Sequence, residues 1–363
     1  MSVNKLNLRY VINASGRMTK LGVSTLSDEV VSAMKHGGQH YFEMEQLHAE
    51  AGKVVAQYLH TEAAFLTNCA SAAIIQSVAS LITKDSQEAV HRLHDADLEL
   101  NREVLIMTGH AIDYGAPIKT MIHLGGGMVK EVGNENGCTL ADIEKAITDK
   151  TVAMVYVQSH YCQQNNMPKL AEVYSLLQHK EIPLIVDAAA ETGFYDHRKQ
   201  ADLYIISGSK ALKGPTSGIL AGKKEFIQYV RNHQVGIGRA MKIGKEAIFG
   251  LLKAMEQYPN NERSADEQLE LLQPITVLNQ IEGVTVSILK DEAKRNIHRA
   301  RITIGENEAK SAQDVVNLLK NGPEAIYTRD YGIAQGYFDI DPRSLQIQDI
   351  QTIVERIQHI MEG

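Results

Sequence analysis

The sequence is short of cysteine, of long apolar runs and of blocks of basic charge. Cys69, Cys138 and Cys162 are the only cysteines in 363 residues, too few and too scattered for a disulfide framework or a zinc site. Reduced thiols of a cytoplasmic protein are the expectation, and no metal is called for. No apolar run is long enough to span a membrane, and Met1-Ser2-Val3-Asn4-Lys5 lacks the apolar core of a signal peptide. No stretch is rich in lysine and arginine, and the formal net charge is −7. That balance argues against an extended nucleic-acid surface but leaves room for a local basic pocket that takes a small anion. Internal repeats and low-complexity tracts are also missing, which excludes solenoids and disordered linkers.

What remains is an ordinary globular composition, 44% hydrophobic and 22% charged, long enough for one large domain and a smaller one. Helical and strand patterns alternate as in a mostly parallel α/β sheet. Leu47, Ala51, Val54, Val55 and Tyr58 recur at helical spacing and predict a helix over 44–60. Ala63–Leu66 reads as a short strand and Ala72–Ile82 as a buried helix. Val104–Met107, Met121–Leu124 and Met128-Val129 are strand candidates. Val152–Val157 is a continuous apolar strand, followed by a helix over 169–180, a strand over 183–187, the run Leu203–Ile206 and a returning strand at Gly218–Gly222. Tyr258-Pro259-Asn260-Asn261 stops the helix that contains Ala247, Leu251, Leu252 and Met255. The reading is an N-terminal arm over 1–43, a large domain over 44–257 and a small C-terminal α/β domain over 258–363. In the latter we expect a long helix near 262–280, strands at Val284–Ile288 and Arg301–Ile304, and a final helix from Ile347 to Met361.

The most informative stretch is Ser207-Gly208-Ser209-Lys210-Ala211-Leu212-Lys213-Gly214-Pro215, directly after an apolar run. Upstream, Asp187 ends the run Pro183-Leu184-Ile185-Val186. An acid at one strand end and a hydroxyl with a lysine at the next is the arrangement that holds pyridoxal phosphate. The carboxylate keeps the pyridine nitrogen protonated, the lysine amine forms the Schiff base, and Ser207 can bond the phosphate. Other post-strand loops fit the same site. Asn68, Cys69, Ala70 and Ser71 join a strand to a helix, and can cradle a phosphate there or serve as a simple cap. His110 can stack on the cofactor ring or be a hydrogen-bonded loop histidine. Ser159, within Gln158-Ser159-His160, can partner the ring hydroxyl or satisfy loop backbone. All sit at strand C-terminal ends, where open α/β sheets place their ligands.

These segments resemble fold-type-I pyridoxal-phosphate enzymes, and more closely the selenocysteine-synthase-related group. The likeness is carried by Val11-Ile12-Asn13-Ala14-Ser15-Gly16, the loop Asn68–Ala73, Asp187, Ser207-Gly208-Ser209-Lys210 with Gly214-Pro215, Arg239-Ala240-Met241-Lys242, and Phe338-Asp339-Ile340-Asp341-Pro342-Arg343. It runs through most of the chain. It implies a transferase-like fold with a large, mostly parallel domain and a smaller α/β domain, and a homo-oligomer. Within the group the sequence is most similar to ammonia-lyases that act on D-glucosaminate 6-phosphate.

Aligning Ser207-Gly208-Ser209-Lys210 with the Ser-Gly-x-Lys of the group puts the aldimine on Lys210. Lys213 stands where the selenocysteine synthases usually have glycine, and is open as an anion ligand, a second base or the aldimine lysine itself. The resemblance implies α,β-elimination from a 2-amino sugar acid, with the released lysine taking the Cα proton. Arg17, Arg239, Lys242 and Arg343 are candidates for the substrate's carboxylate and phosphate, because a guanidinium binds oxyanions bidentately. Two other readings stand beside it. One is a transferase acting on seryl-tRNA, disfavoured because the resemblance begins near residue 11, without room for an N-terminal tRNA-binding domain. The other is a non-catalytic binding protein of the same fold, disfavoured by the presence of both Asp187 and Lys210.

Overall fold

A computed structural model describes residues 6–159, 162–163, 165–191, 198–260, 263–291 and 296–362. Its strands in chain order are β1 (Val11–Ala14), β2 (Ala63–Thr67), β3 (Glu103–Met107), β4 (Met128–Val132), β5 (Thr151–Val157), β6 (Leu184–Asp187), β7 (Leu203–Ser207), β8 (Gly218–Gly222), β9 (Val284–Lys290), β10 (His298–Ile304), β11 (Ala325–Thr328) and β12 (Tyr337–Ile340). The chain divides into two units, one of residues 26–258 and one that joins residues 1–25 to 259–363.

The larger unit is built on a seven-stranded sheet in the order β2-β8-β7-β6-β5-β3-β4. All neighbouring pairs from β7 to β4 are parallel, and β8 runs antiparallel to both β7 and β2. The central strands are buried on both faces, which is why β5, β6 and β7 read in sequence as unbroken apolar runs and not as alternation. In this register Val157 lies beside Asp187, and Asp187 beside Ile205. The last residues of β5, β6 and β7 therefore emerge together on one edge of the sheet.

Helix Ala70–Thr83 follows β2 and is buried from Ala72 to Thr83. Its all-round apolar character fits a helix enclosed by its neighbours. Helix Asp28–Gln39 belongs to the same unit and packs on helix Lys245–Gln257. One expected strand is a helix: Met121–Leu124 forms the end of helix Ile118–Leu124. Ile118 and Ile122, four residues apart, are its buried positions, a helical spacing that a four-residue window cannot separate from a strand.

The smaller unit pairs β1 with β11 in parallel and folds β12, β10 and β9 into an antiparallel sheet. Helices Ala265–Leu272, Ala312–Asn321 and Ile347–Glu362 cover a core that includes Ile302, Ile326, Phe338 and Ile353. The helix expected over 262–280 is shorter than predicted. It stops at Leu272 and continues as a 3-10 segment, Gln273–Gln280, with a proline in its first turn. Pro274 has no N–H for the α ladder, which explains the change. Among the described residues no helix is long and apolar enough to cross a membrane, and no cluster of three or more His, Cys, Asp or Glu could hold a metal ion.

Candidate active site

Asp187 closes β6 as a buried carboxylate whose Oδ1 accepts the Ala189 N–H at 3.0 Å. Burial pushes its pKa up, against the opposing pull of that N–H and of the Lys210 charge. Burial likewise pushes the Lys210 amine down, and the Asp187 carboxylate opposes the shift. For both partners the loss of water outweighs their mutual attraction, so each carries its charge less readily than in solvent. This pair is what the sequence reading placed at adjacent strand ends.

The lysine loop has a closed neck. Gly208 N–H donates to the Ser217 carbonyl at 2.9 Å and Gly214 N–H to the Gly208 carbonyl at 2.8 Å. A Cβ at 208 would stand 2.0 Å from Ser217 Oγ and 2.8 Å from Leu251 Cδ1, so any side chain there displaces these neighbours. Ser207, the last residue of β7, is buried, with its hydroxyl 3.4 Å from that of Ser209. Lys213 donates its backbone N–H to the Lys210 carbonyl at 3.2 Å, and its φ of 53° lies in the left-handed region. Glycine takes that conformation without strain, which accounts for the glycine that the resemblance puts at this position.

The Asn68–Ser71 loop leads into the 14-residue helix Ala70–Thr83. Cys69 is its N-cap, with Sγ accepting the Ala72 N–H at 3.4 Å, and no acidic residue occupies the first turn. The helix start thus presents backbone donors and the positive end of its dipole with nothing anionic in competition. Behind the loop lies β8, where a Cβ at Gly218 would come within 2.3 Å of the Cys69 carbonyl oxygen. Asn68 donates its backbone N–H to the Met241 carbonyl at 3.2 Å, while its buried Oδ1 has no partner among the described residues.

Two contributors were not singled out from the sequence. Gly218 appeared there only as a strand residue. Tyr114 stands four residues beyond His110, and its hydroxyl lies 3.2 Å from Ser71 Oγ. Burial pushes its pKa up, the Ser71 bond opposes this, and Asp187 and Cys69 add to the rise. The phenol therefore sits within the electrostatic reach of both the carboxylate and the helix cap. No local pattern marks it.

His110 is buried, accepts the Val157 N–H on Nδ1 at 3.1 Å, and stands edge-on to Tyr156 with ring centroids 4.5 Å apart. Burial lowers its pKa to about 4, so at neutral pH the ring is uncharged with its proton on Nε2. Ser159 is buried just past β5, where the Gln158 N–H donates to the Asp187 carbonyl at 2.8 Å; His160 lies outside the described residues. Arg239 and Lys242 are exposed and line a cleft of about 370 Å³ with His48, Phe65 and Met241. The Met241 carbonyl joins their segment to Asn68. Arg17 and Arg343 belong to the smaller unit. There Arg343 makes a bidentate pair with Asp341, Nε to Oδ1 at 2.9 Å and Nη2 to Oδ2 at 2.8 Å, and its backbone N–H and the Arg299 Nε also donate to the same carboxylate. Burial alone would raise the Asp341 pKa, but the two guanidinium groups hold it far below the usual range.

The larger unit's residues fit pyridoxal phosphate. Asp187 is a buried carboxylate suited to a protonated ring nitrogen, Lys210 an amine beside it whose pKa burial lowers, the Ala70 helix an anion seat, and Asn68 Oδ1 a buried acceptor without a partner among the described residues. Comparison with known proteins agrees. The D-glucosaminate-6-phosphate ammonia lyase of Salmonella typhimurium is 39% identical over 361 residues, 99% of this chain and 97% of that protein. A solved structure of D-glucosaminate-6-phosphate ammonia-lyase superposes with a TM-score of 0.93 at 38% identity, covering 99% of this chain and 97% of that one. A 5'-C-glycyluridine monooxygenase-decarboxylase from Streptomyces sp. is 34% identical over 370 residues, 99% of this chain and 92% of that protein. The family model described as SelA, L-seryl-tRNA selenium transferase, matches residues 11–314. The chain belongs to this family of pyridoxal-phosphate-dependent, fold-type-I proteins.

Proposed function

We propose that the protein is an ammonia-lyase that converts D-glucosaminate 6-phosphate to 2-dehydro-3-deoxy-6-phosphogluconate. The observation that carries this reading is near full-length likeness to such a lyase, together with an intact Asp187 and Lys210 pair. When bound, pyridoxal phosphate supplies the electron sink that acidifies the substrate's Cα–H. In our reading Lys210 carries the cofactor and then, as a free amine, takes the Cα proton. Its low-water surroundings favour the neutral, proton-accepting form of that amine. Asp187 keeps the proton on the pyridine nitrogen, Ser207 and the Asn68–Ser71 loop hold the phosphate end, and His110 and Ser159 border the ring. Lys213, Arg239 and Lys242 are the larger unit's cations that we assign to the substrate's carboxylate and phosphate.

The atoms balance without an oxidant. The Cα proton and the 3-hydroxyl leave as water, the resulting enamine tautomerises to an imine, and hydrolysis takes one water back and releases ammonia. We further infer a cytoplasmic homo-oligomer. The test is to incubate the cofactor-loaded protein with phosphorylated and unphosphorylated 2-amino sugar acids and follow ammonia and 2-oxo-acid release. Stoichiometric ammonia and 2-oxo acid from the phosphorylated substrate supports the reading. Oxygen uptake without ammonia from amino-acid substrates would overturn it and move the activity towards that of the Streptomyces relative.

A further inference from the structure

We propose that Tyr114 is a positioning residue that acts through the Ser71 hydroxyl on the phosphate end of the cofactor. The proposal rests on the reading above that the phosphate sits at the start of helix Ala70–Thr83.

Three features carry it. First, the loop that holds Tyr114 is fixed by its own bonds. Ile118 N–H donates to the Ile112 carbonyl at 3.0 Å, Gly115 N–H to Asp113 Oδ1 at 2.8 Å, and Tyr114 N–H to the Ala116 carbonyl at 3.3 Å. Gly115, at φ 106°, takes the turn that lets this loop close. Second, the phenol of this loop reaches Ser71 Oγ at 3.2 Å, across 43 residues of sequence. Third, burial pushes the phenol's pKa above its ordinary value, and Asp187, Cys69 and Asp113 raise it further. The group keeps its proton and has to place it.

Each hydroxyl has one proton to give. Ser71 stands in the first turn of the helix, and can donate that proton to an anion there only if it accepts in its bond with Tyr114. The direction then runs from Tyr114 O–H to Ser71 Oγ, and from Ser71 O–H to the phosphate. Donation by the phenol polarises the serine hydroxyl and fixes its rotation, so the serine becomes a better and better-aimed donor. The same bond without an anion can run either way. Tyr114 therefore belongs to the cofactor's affinity, and it acts at the phosphate and not at the ring.

The experiment is a double-mutant cycle read by cofactor affinity, with Tyr114→Phe, Ser71→Ala and the double variant titrated as apoproteins. Pyridoxal phosphate and pyridoxal, which lacks the phosphate, are the two probes, and apoprotein melting confirms that each variant folds. We expect Tyr114→Phe to weaken pyridoxal phosphate about 5–10-fold and to leave pyridoxal unchanged. In the Ser71→Ala background the same change should add nothing. Tyr114→Met, a flexible apolar side chain of similar length, should repeat the loss if the phenylalanine variant misfolds. A loss that persists at full size without Ser71, one that extends equally to pyridoxal, or no loss at all would overturn the proposal. An unchanged affinity in Ser71→Ala alone would instead sink the phosphate-seat reading beneath it, and the proposal with it.

Discussion

Replacing Asp187 by asparagine separates the chemistry of this site from its architecture. Asparagine keeps the oxygen that accepts the Ala189 N–H at 3.0 Å and has nearly the same volume, so the turn after β6 should hold. What disappears is one buried negative charge. That charge opposes the fall of the Lys210 pKa, and in our reading it holds the proton on the pyridine nitrogen. Removing one preorganised electrostatic group from a reacting site costs roughly 3–4 kcal/mol of transition-state stabilisation, which at about 1.4 kcal/mol per tenfold is a loss of roughly 10²–10³ in kcat. Stability should move the other way. The folded-state pKa of Asp187 is raised, so its ionised form disfavours the apoprotein at neutral pH, and the neutral asparagine should melt at the same temperature or higher. The assay is ammonia release by the cofactor-loaded variant, with cofactor content measured by absorbance and apoprotein melting followed by circular dichroism. Turnover within tenfold of the parent, with cofactor bound, would refute the reasoning; so would a kcat loss that merely tracks a drop in melting temperature.

Gly218→Ala places a Cβ 2.3 Å from the Cys69 carbonyl oxygen, so the loop must retreat by roughly 1 Å; we expect about 1–3 kcal/mol of lost stability and weaker cofactor binding, both absent if the loop position is irrelevant. Borohydride reduction and peptide mapping should find the pyridoxyl group on Lys210, and Lys210→Ala should bind the cofactor without a covalent link; an adduct on Lys213 reverses the assignment. His110 and His233 are buried neutral with pKa values lowered by burial to about 4. The unfolded chain protonates them from about pH 6.5 downwards while the folded chain does not, so folding stability should fall as pH drops from about 6.5 to 4, by about 3 kcal/mol for each histidine. The His110→Gln, His233→Gln double variant should lose that part of the acid slope in denaturant titrations, and an unchanged slope would contradict it.

The readable part of this fold is the part in which local pattern and final environment coincide. β5, β6 and β7 are buried on both faces, so their apolar runs needed no partner to identify them, and Asp187 and Ser207 stand out as the first polar residues after such runs. Met121–Leu124 failed for the converse reason, because four residues do not sample a helical period. The contacts that complete the site are long-range. Tyr114 meets Ser71 across 43 residues, and Gly218 meets Cys69 only because β8 returns antiparallel beside β2. In the smaller unit two motifs that carried the resemblance separately turn out to be one structure. Asp341 donates its N–H to the Ala14 carbonyl at 2.9 Å, and a side chain at Gly16 would meet Arg343 Nη2 at 2.8 Å. A pairing of β1 with β11 over some three hundred residues leaves no trace in either segment alone.

The two lysines that sequence could not separate differ physically once the loop is folded. Lys210 lies in the field of the buried Asp187 carboxylate, and each shifts the other's protonation. Lys213 has a φ of 53°, where a side chain costs on the order of 1 kcal/mol relative to glycine. In our reading the nucleophile must be neutral at one moment and take a proton at the next, which suits a low-water site with a nearby carboxylate such as that of Lys210. A left-handed residue is instead held by the turn it makes, here closed by its N–H on the Lys210 carbonyl and by Gly214 on Gly208. Lys213→Gly should therefore preserve the loop and relieve the strain, adding up to about 1 kcal/mol of stability. Any accompanying rise in KM for an anionic substrate then measures what the side chain does beyond the backbone. If Lys213→Gly instead abolished covalent attachment of the cofactor in a fully folded protein, the division of labour drawn from backbone and field would be wrong.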